Sequence, residues 1–199
     1  MVSPSRARPW PPLPGPVLIP PSFDCQVGSL GYARCAAEIT RQESELDVQF
    51  TQVMIANGSA GTHAGLAAGF EQSGRGAATV RSWSVLTDRD TAAARTLQLT
   101  RQTLALLGSS AALRADAIDI DASQLGDGYG LPTPAMLEAV QLMARCEGLL
   151  LDPVYSGKAF AGLLGDLRQD RYRSGDSVLF VMTGGTPGLY AYRDTFISR

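Results

Sequence analysis

Gly58-Ser59-Ala60-Gly61-Thr62 follows the apolar run Val53-Met54-Ile55 and precedes a stretch of small residues that starts at His63. Strand, glycine loop and helix in that order can hold an anion. Glycine lets the backbone turn tightly and approach a ligand. Amides at a helix N-terminus point outward, where the helix dipole favours negative charge. Ser59 and Thr62 add hydroxyl donors. The chemistry is that of a phosphate cradle, although the string alone reads equally well as an ordinary strand–helix turn. No lysine follows it as a Walker loop requires, and its spacing is not that of the dinucleotide fingerprint.

Two further strings carry polar groups at turns. Met182-Thr183-Gly184-Gly185-Thr186-Pro187-Gly188 closes an apolar run in a glycine-rich turn. Ligands of α/β sheets sit at the carboxyl ends of strands, so this turn and the first loop could face one crevice; alone it reads as a simple turn. Asp152-Pro153-Val154-Tyr155-Ser156-Gly157-Lys158 joins a rigid proline, two hydroxyls and a helix start. Lys158 is the only lysine and His63 the only histidine of the chain. His63 reads as a packing or helix-capping residue rather than an acid–base group.

These strings need elements to position them. Residues 28–46 read as a helix whose polar face carries Glu38, Arg41, Gln42 and Glu45. Residues 50–56, 79–86, 117–120 and 178–182 read as strands, and 17–19 as a further short apolar run. Helices are expected over 63–70, 91–107, from Thr133 or Pro134 to 146, and over 158–170, with Thr133 as N-cap and Pro134 in the first turn. The alternation predicts an α/β fold: an open, mostly parallel sheet with helices on both faces. Residues 1–16, crowded with prolines, read as a disordered or extended tail, and 17–199 as one globular region.

Composition narrows the function classes. A chain of 199 residues can bury roughly 70% of its unfolded surface. An apolar fraction of 45% and a charged fraction of 18% fit a globular protein. A net charge of −2 with no basic block gives nucleic acid or an acidic membrane no electrostatic hold. No apolar run approaches the roughly 18 residues of a membrane span, and prolines break the N-terminal stretch a signal peptide needs. Cys25, Cys35 and Cys146 lack metal-ligand spacing and read as reduced thiols in a cytoplasmic protein; no metal is expected.

Five strings taken together, GSLGY (28–32), GSAGTHAGL (58–66), GYGLPTP (128–134), EGLLLDPVYSGKAFAGL (147–163) and TGGTPGLYAY (183–192), resemble the D-cysteine desulfhydrase and 1-aminocyclopropane-1-carboxylate deaminase family. These are pyridoxal-phosphate enzymes of the tryptophan-synthase β-like fold, and the resemblance covers residues 17–199. It implies pyridoxal 5'-phosphate as cofactor, with Gly58, Ser59, Ala60, Gly61 and Thr62 on its phosphate. It implies catalytic roles for Tyr129 and Tyr155 near substrate and ring, and places Ser156 and Thr183 around the pyridine. The deaminase branch has glutamate and leucine at those last two positions, so Ser156 and Thr183 match the desulfhydrase branch. The implied reaction is α,β-elimination of D-cysteine to pyruvate, sulfide and ammonia. A deaminase, a cysteate sulfo-lyase and a non-catalytic remnant that binds phosphate or cofactor are the alternatives. A small amino-acid substrate, a cytoplasmic location and a homodimer complete what the resemblance allows.

The family also has an N-terminal region that carries its Schiff-base lysine in a Gly-Gly-Asn-Lys context, and that string does not occur here. The expectation is therefore a truncated, frame-shifted or degenerate C-terminal part of the enzyme, with a sheet incomplete on its N-terminal side and little activity alone. The turn at 21–26 departs from the family's Gly/Ser-rich loop. Lys158 matches a family lysine other than the Schiff-base residue, and is read as starting a helix or binding a carboxylate.

Overall fold

Val53, Met54 and Ile55 are apolar in succession, the pattern of a strand covered on both faces. They form the middle of β1 (Gln52–Asn57), and all three are fully buried. The structure, a computed structural model, describes residues 26–197. Expectations for the proline-rich tail, the run at 17–19, the turn before Gln26 and Cys25 lie outside these residues.

β1 pairs in parallel with β2 (Val80–Ser84) on one side and β4 (Val178–Phe180) on the other, and β2 pairs in parallel with β3 (Asp119–Asp121). The order is β3-β2-β1-β4. In register, Val53 meets Val80, Asn57 meets Ser84 and Met54 meets Phe180. Alternate residues face opposite layers. Val53 and Ile55 join Leu66, Phe70, Leu104 and Ile120 in the larger core, under α1 (Gln26–Leu46), α2 (Gly61–Gln72) and α3 (Arg89–Leu106). Met54 and Trp83 face the other layer, where Ala159 and Leu163 of α5 (Ser156–Arg168) cover them. α4 (Pro134–Glu147) packs on α5 through Met136 and Val140. The open parallel sheet with helices on both faces is the architecture the alternation predicted.

α1 and α2 pack closely because α2 carries glycine at two successive turns. A Cβ on Gly65 would lie 2.2 Å from the Ser29 carbonyl oxygen, and one on Gly69 2.6 Å from that of Ala33. The string GSLGY thus supplies the part of α1 that faces Gly65, and Ala33 and Ala36 the part that faces Gly69.

Boundaries moved where a local bond competes with the ladder. The first strand begins at Gln52, not 50, because the Phe50 amide donates to Glu43 Oε1 at 2.7 Å. The second begins at Val80 because Ala77–Thr79 form a 3-10 turn. α3 begins at Arg89, capped by Asp88, which accepts from the Thr91 amide at 2.9 Å. Thr133 caps α4 as predicted, accepting from the Met136 amide at 3.2 Å. The short helices α6 (Gly188–Ala191) and α7 (Arg193–Ile197) had no periodicity to announce them. Among the described residues no helix is long and apolar enough to cross a membrane.

Candidate functional site

The loop after β1 turns through Ala60, whose φ of 77° and ψ of −17° are left-handed. A residue with a Cβ gives up about 1–2 kcal/mol there. The conformation persists because Ala60 is buried against Ala64 and Leu99. Its effect is to swing the chain into α2. The first main-chain bond of α2 runs from the Ala64 amide to the Ala60 carbonyl at 2.9 Å. The amides of Gly61, Thr62 and His63 therefore have no carbonyl ahead of them in the helix, which is the geometry that receives an anion. Ser59 and Thr62 are half-buried beside them.

Beneath the loop lies a polar floor. Asn57 donates from Nδ2 to Ser82 Oγ and Thr96 Oγ1, both at 3.2 Å, and His63 Nδ1 sits 2.7 Å from Ser82 Oγ. Asn57 Oδ1 and His63 Nε2 are buried without a hydrogen-bond partner among the described residues. Burial drives the His63 pKa down to about 3, so the imidazole is neutral. The expectation of a packed histidine rather than an acid–base group matches this placement. A dent of about 20 Å³ lined by Ala56 to Ala60, Thr62 and His63 opens on these groups. It has room for a water-sized group.

The other strings converge on the same end of the sheet. A Cβ on Gly58 would lie 3.1 Å from Tyr155 Cε1, so the loop backbone rests on the Tyr155 ring. The Tyr155 hydroxyl meets that of Tyr129 at 2.5 Å, and the rings stand edge to face with centroids 6.0 Å apart. The hydrogen bond with Tyr129, with burial adding to it, pushes the Tyr155 pKa up to about 12. Both rings remain partly exposed, Tyr129 at 49% and Tyr155 at 38%. The turn after β4 packs here too: a Cβ on Gly185 would lie 2.8 Å from Asp152 Cγ, and Thr186 Oγ1 donates to the Leu150 carbonyl at 3.2 Å. Thr183 is exposed just before this turn.

Two sequence readings change. The Ser156 hydroxyl is buried and turned onto the chain, donating to Asp152 Oδ1 at 2.6 Å and accepting from the Asp152 amide at 2.8 Å. It serves the turn and does not face outward with Thr183. Lys158 binds no carboxylate. Its buried ammonium donates to the carbonyls of Leu125 at 2.7 Å and Gly128 at 3.0 Å. α5 starts at Ser156 rather than Lys158 because Asp152, buried at 2% exposure, accepts from the amides of Val154, Tyr155 and Ser156 at 2.8–2.9 Å. The sequence analysis missed Asp152 as organiser of the turn; an aspartate followed by proline is its only local signal.

The geometry has counterparts in known proteins. Residues 12–184 match the family described as "Pyridoxal-phosphate dependent enzyme". The chain is 40% identical over 185 residues to a D-cysteine desulfhydrase of Serratia proteamaculans (strain 568), covering 89% of this chain and 52% of that protein. A D-cysteine desulfhydrase of Salmonella typhi is 40% identical over 177 residues, with the same coverages. A crystal structure of an ACC deaminase homologue superposes with a TM-score of 0.78 at 30% identity, covering 90% of this chain and 52% of that one. The chain spans about half the length of the curated relatives it matches.

Proposed function

This chain belongs to the pyridoxal-phosphate-dependent enzyme family, and on that premise we propose that it forms the phosphate-holding half of a D-cysteine desulfhydrase. The observation that carries the reading is the meeting of three separate strings at Tyr155: the glycine loop beneath its ring, Tyr129 on its hydroxyl, and Asp152 at the base of its turn. Outward amides at the start of α2, with the hydroxyls of Ser59 and Thr62 beside them, fit a phosphate ester. Bound pyridoxal phosphate would supply an electron sink for carbanion chemistry.

The roles of the chain's own residues follow. The amides of Gly61, Thr62 and His63 and the hydroxyls of Ser59 and Thr62 hold the phosphate dianion. Gly58 and Ala60 shape the loop around it. The hydroxyls of Tyr129 and Tyr155 share one hydrogen bond, which leaves one hydroxyl hydrogen of the pair to be presented to the substrate's departing or carboxylate end. Thr183 offers a neutral hydroxyl on the ring side. A hydroxyl there, with no carboxylate to charge the pyridine, suits β-elimination of a thiolate, a good leaving group, better than opening a cyclopropane. The proposed whole is a cytoplasmic, homodimeric enzyme acting on a small amino acid.

Titration of the purified chain with pyridoxal phosphate, with inorganic phosphate as competitor, tests the cradle. Gly58→Leu should weaken binding by at least about tenfold, near 1.4 kcal/mol, since its side chain must displace Tyr155. Unchanged affinity removes the loop from the site. Joined to the remaining half of a relative, the chain should release sulfide from D-cysteine faster than ammonia from 1-aminocyclopropane-1-carboxylate. The opposite preference would move it to the deaminase branch.

A further inference from the structure

We propose that Lys158 is a positioning residue for the tyrosine pair, fixing the loop 122–133 to the start of α5 so that the Tyr129 hydroxyl meets that of Tyr155. The consequence for ligand handling rests on the reading above; the geometry stands without it.

The Lys158 side chain is fully buried. Burying an ammonium is costly unless its donors are used, and methionine would fill a similar space with no such penalty. What the charge gains is two charge-assisted bonds to carbonyls of one loop, Leu125 at 2.7 Å and Gly128 at 3.0 Å. Gly128 immediately precedes Tyr129. On the other side, the Gly130 carbonyl accepts from the Tyr192 hydroxyl at 2.7 Å. Both main-chain neighbours of Tyr129 are thus pinned, one from α5 and one from the turn between α6 and α7.

The lysine's position in the chain completes the argument. Tyr155 is the N-cap residue of α5, and Lys158 lies three residues on, in the first turn. One helical turn therefore carries both the second tyrosine and the anchor for the loop that bears the first. The separation of the two hydroxyls, 2.5 Å, is set across that turn and not by contact between flexible side chains. The exposure of Tyr129 agrees: about half of the residue is uncovered, so packing alone holds it only in part. Burial lowers the pKa of the Lys158 ammonium from its usual value, as expected for a cation held only by neutral carbonyls.

The test uses NMR of the protein with isotope-labelled tyrosine rings, assigned with Tyr129→Phe and Tyr155→Phe. Lys158→Met should make Tyr155 ionise at lower pH, as is expected for Tyr129→Phe, while Lys158→Gln, which keeps a donor but loses the charge that strengthens both bonds, should fall between Lys158→Met and the unaltered chain. A folded Lys158→Met whose Tyr155 still titrates as in the unaltered chain overturns the proposal, because a merely structural lysine would move only the melting temperature. Should both variants fail to fold, the unaltered protein decides. Deprotonating the Lys158 amine, followed by its own side-chain signal, should shift the Tyr129 ring signals at the same pH; no response overturns the proposal. Neither readout needs pyridoxal phosphate. A chain that failed to bind cofactor would leave this result standing, and a null tyrosine response would leave the cradle standing.

Discussion

The two ends of the sheet are made by the same four strands and differ in what they leave unpaired. At the amino end Arg81 is almost fully buried, with Nε 2.6 Å from Asp166 Oδ2 and a terminal nitrogen 2.6 Å from Asp119 Oδ1. Arg171 adds a bond to Asp119 at 2.9 Å, and the Arg81 guanidinium lies 5.1 Å from the centre of the Trp83 ring. At the carboxyl end stand a left-handed alanine, two partly exposed tyrosines and the unanswered Asn57 Oδ1 and His63 Nε2. The charges of the first end lock β2, β3 and α5 together. On the proposed reading the second end keeps polar groups for a ligand, at some cost in local strain. Stability and binding should therefore be separable by mutation.

The largest effect is expected at the amino end. Arg81→Met leaves the buried Asp166 carboxylate without its main partner and should lower unfolding free energy by about 3–5 kcal/mol, measured by urea denaturation. Phosphate affinity of the folded fraction should stay within about twofold. A parallel fall in affinity would show the two ends to be one unit.

His63 sharpens the contrast through pH. Its pKa in the folded chain, about 3, lies below the ordinary histidine value, so below about pH 6.5 the unfolded chain binds the extra proton. The contribution is complete above about pH 6.5 and is lost as pH falls, at up to about 1.4 kcal/mol per pH unit. Between pH 7 and pH 5 that amounts to about 2 kcal/mol. As the chain has no other histidine, His63→Gln should flatten this limb before most carboxylates titrate. An unchanged slope would mean that the floor of the loop is wet.

The smallest stability effect belongs to Tyr129→Phe. Both rings are partly exposed, so the change should stay within about 0.5 kcal/mol, while Tyr155 ionises at lower pH. A loss well beyond that, read from thermal melts, would make the carboxyl end structural as well.

Much of this was legible locally. The run at 53–55, the glycine loop and the Thr133–Pro134 start are set by patterning and turn chemistry within a few residues, and each formed where expected. What escaped depends on partners far away in sequence. Arg81 sits inside a strand buried along its whole length and owes its place to Asp119 and Asp166. Glu43, on the helix face between exposed Gln42 and Ser44, is buried because Arg75 reaches it at 2.6 Å. Ser156 and Lys158 showed their residue types but not their partners. The spacing of Gly65 and Gly69 was visible, yet only the helix lying across them gives it meaning.

That seam between α1 and α2 has a kinetic consequence. With carbonyls of one helix against glycines of the other, α2 has little freedom to slide along its axis, and the amides of its first turn are aimed before any anion arrives. Association then needs no prior rearrangement: the observed rate should rise linearly with phosphate concentration instead of levelling off. Little of the binding free energy goes into ordering the loop.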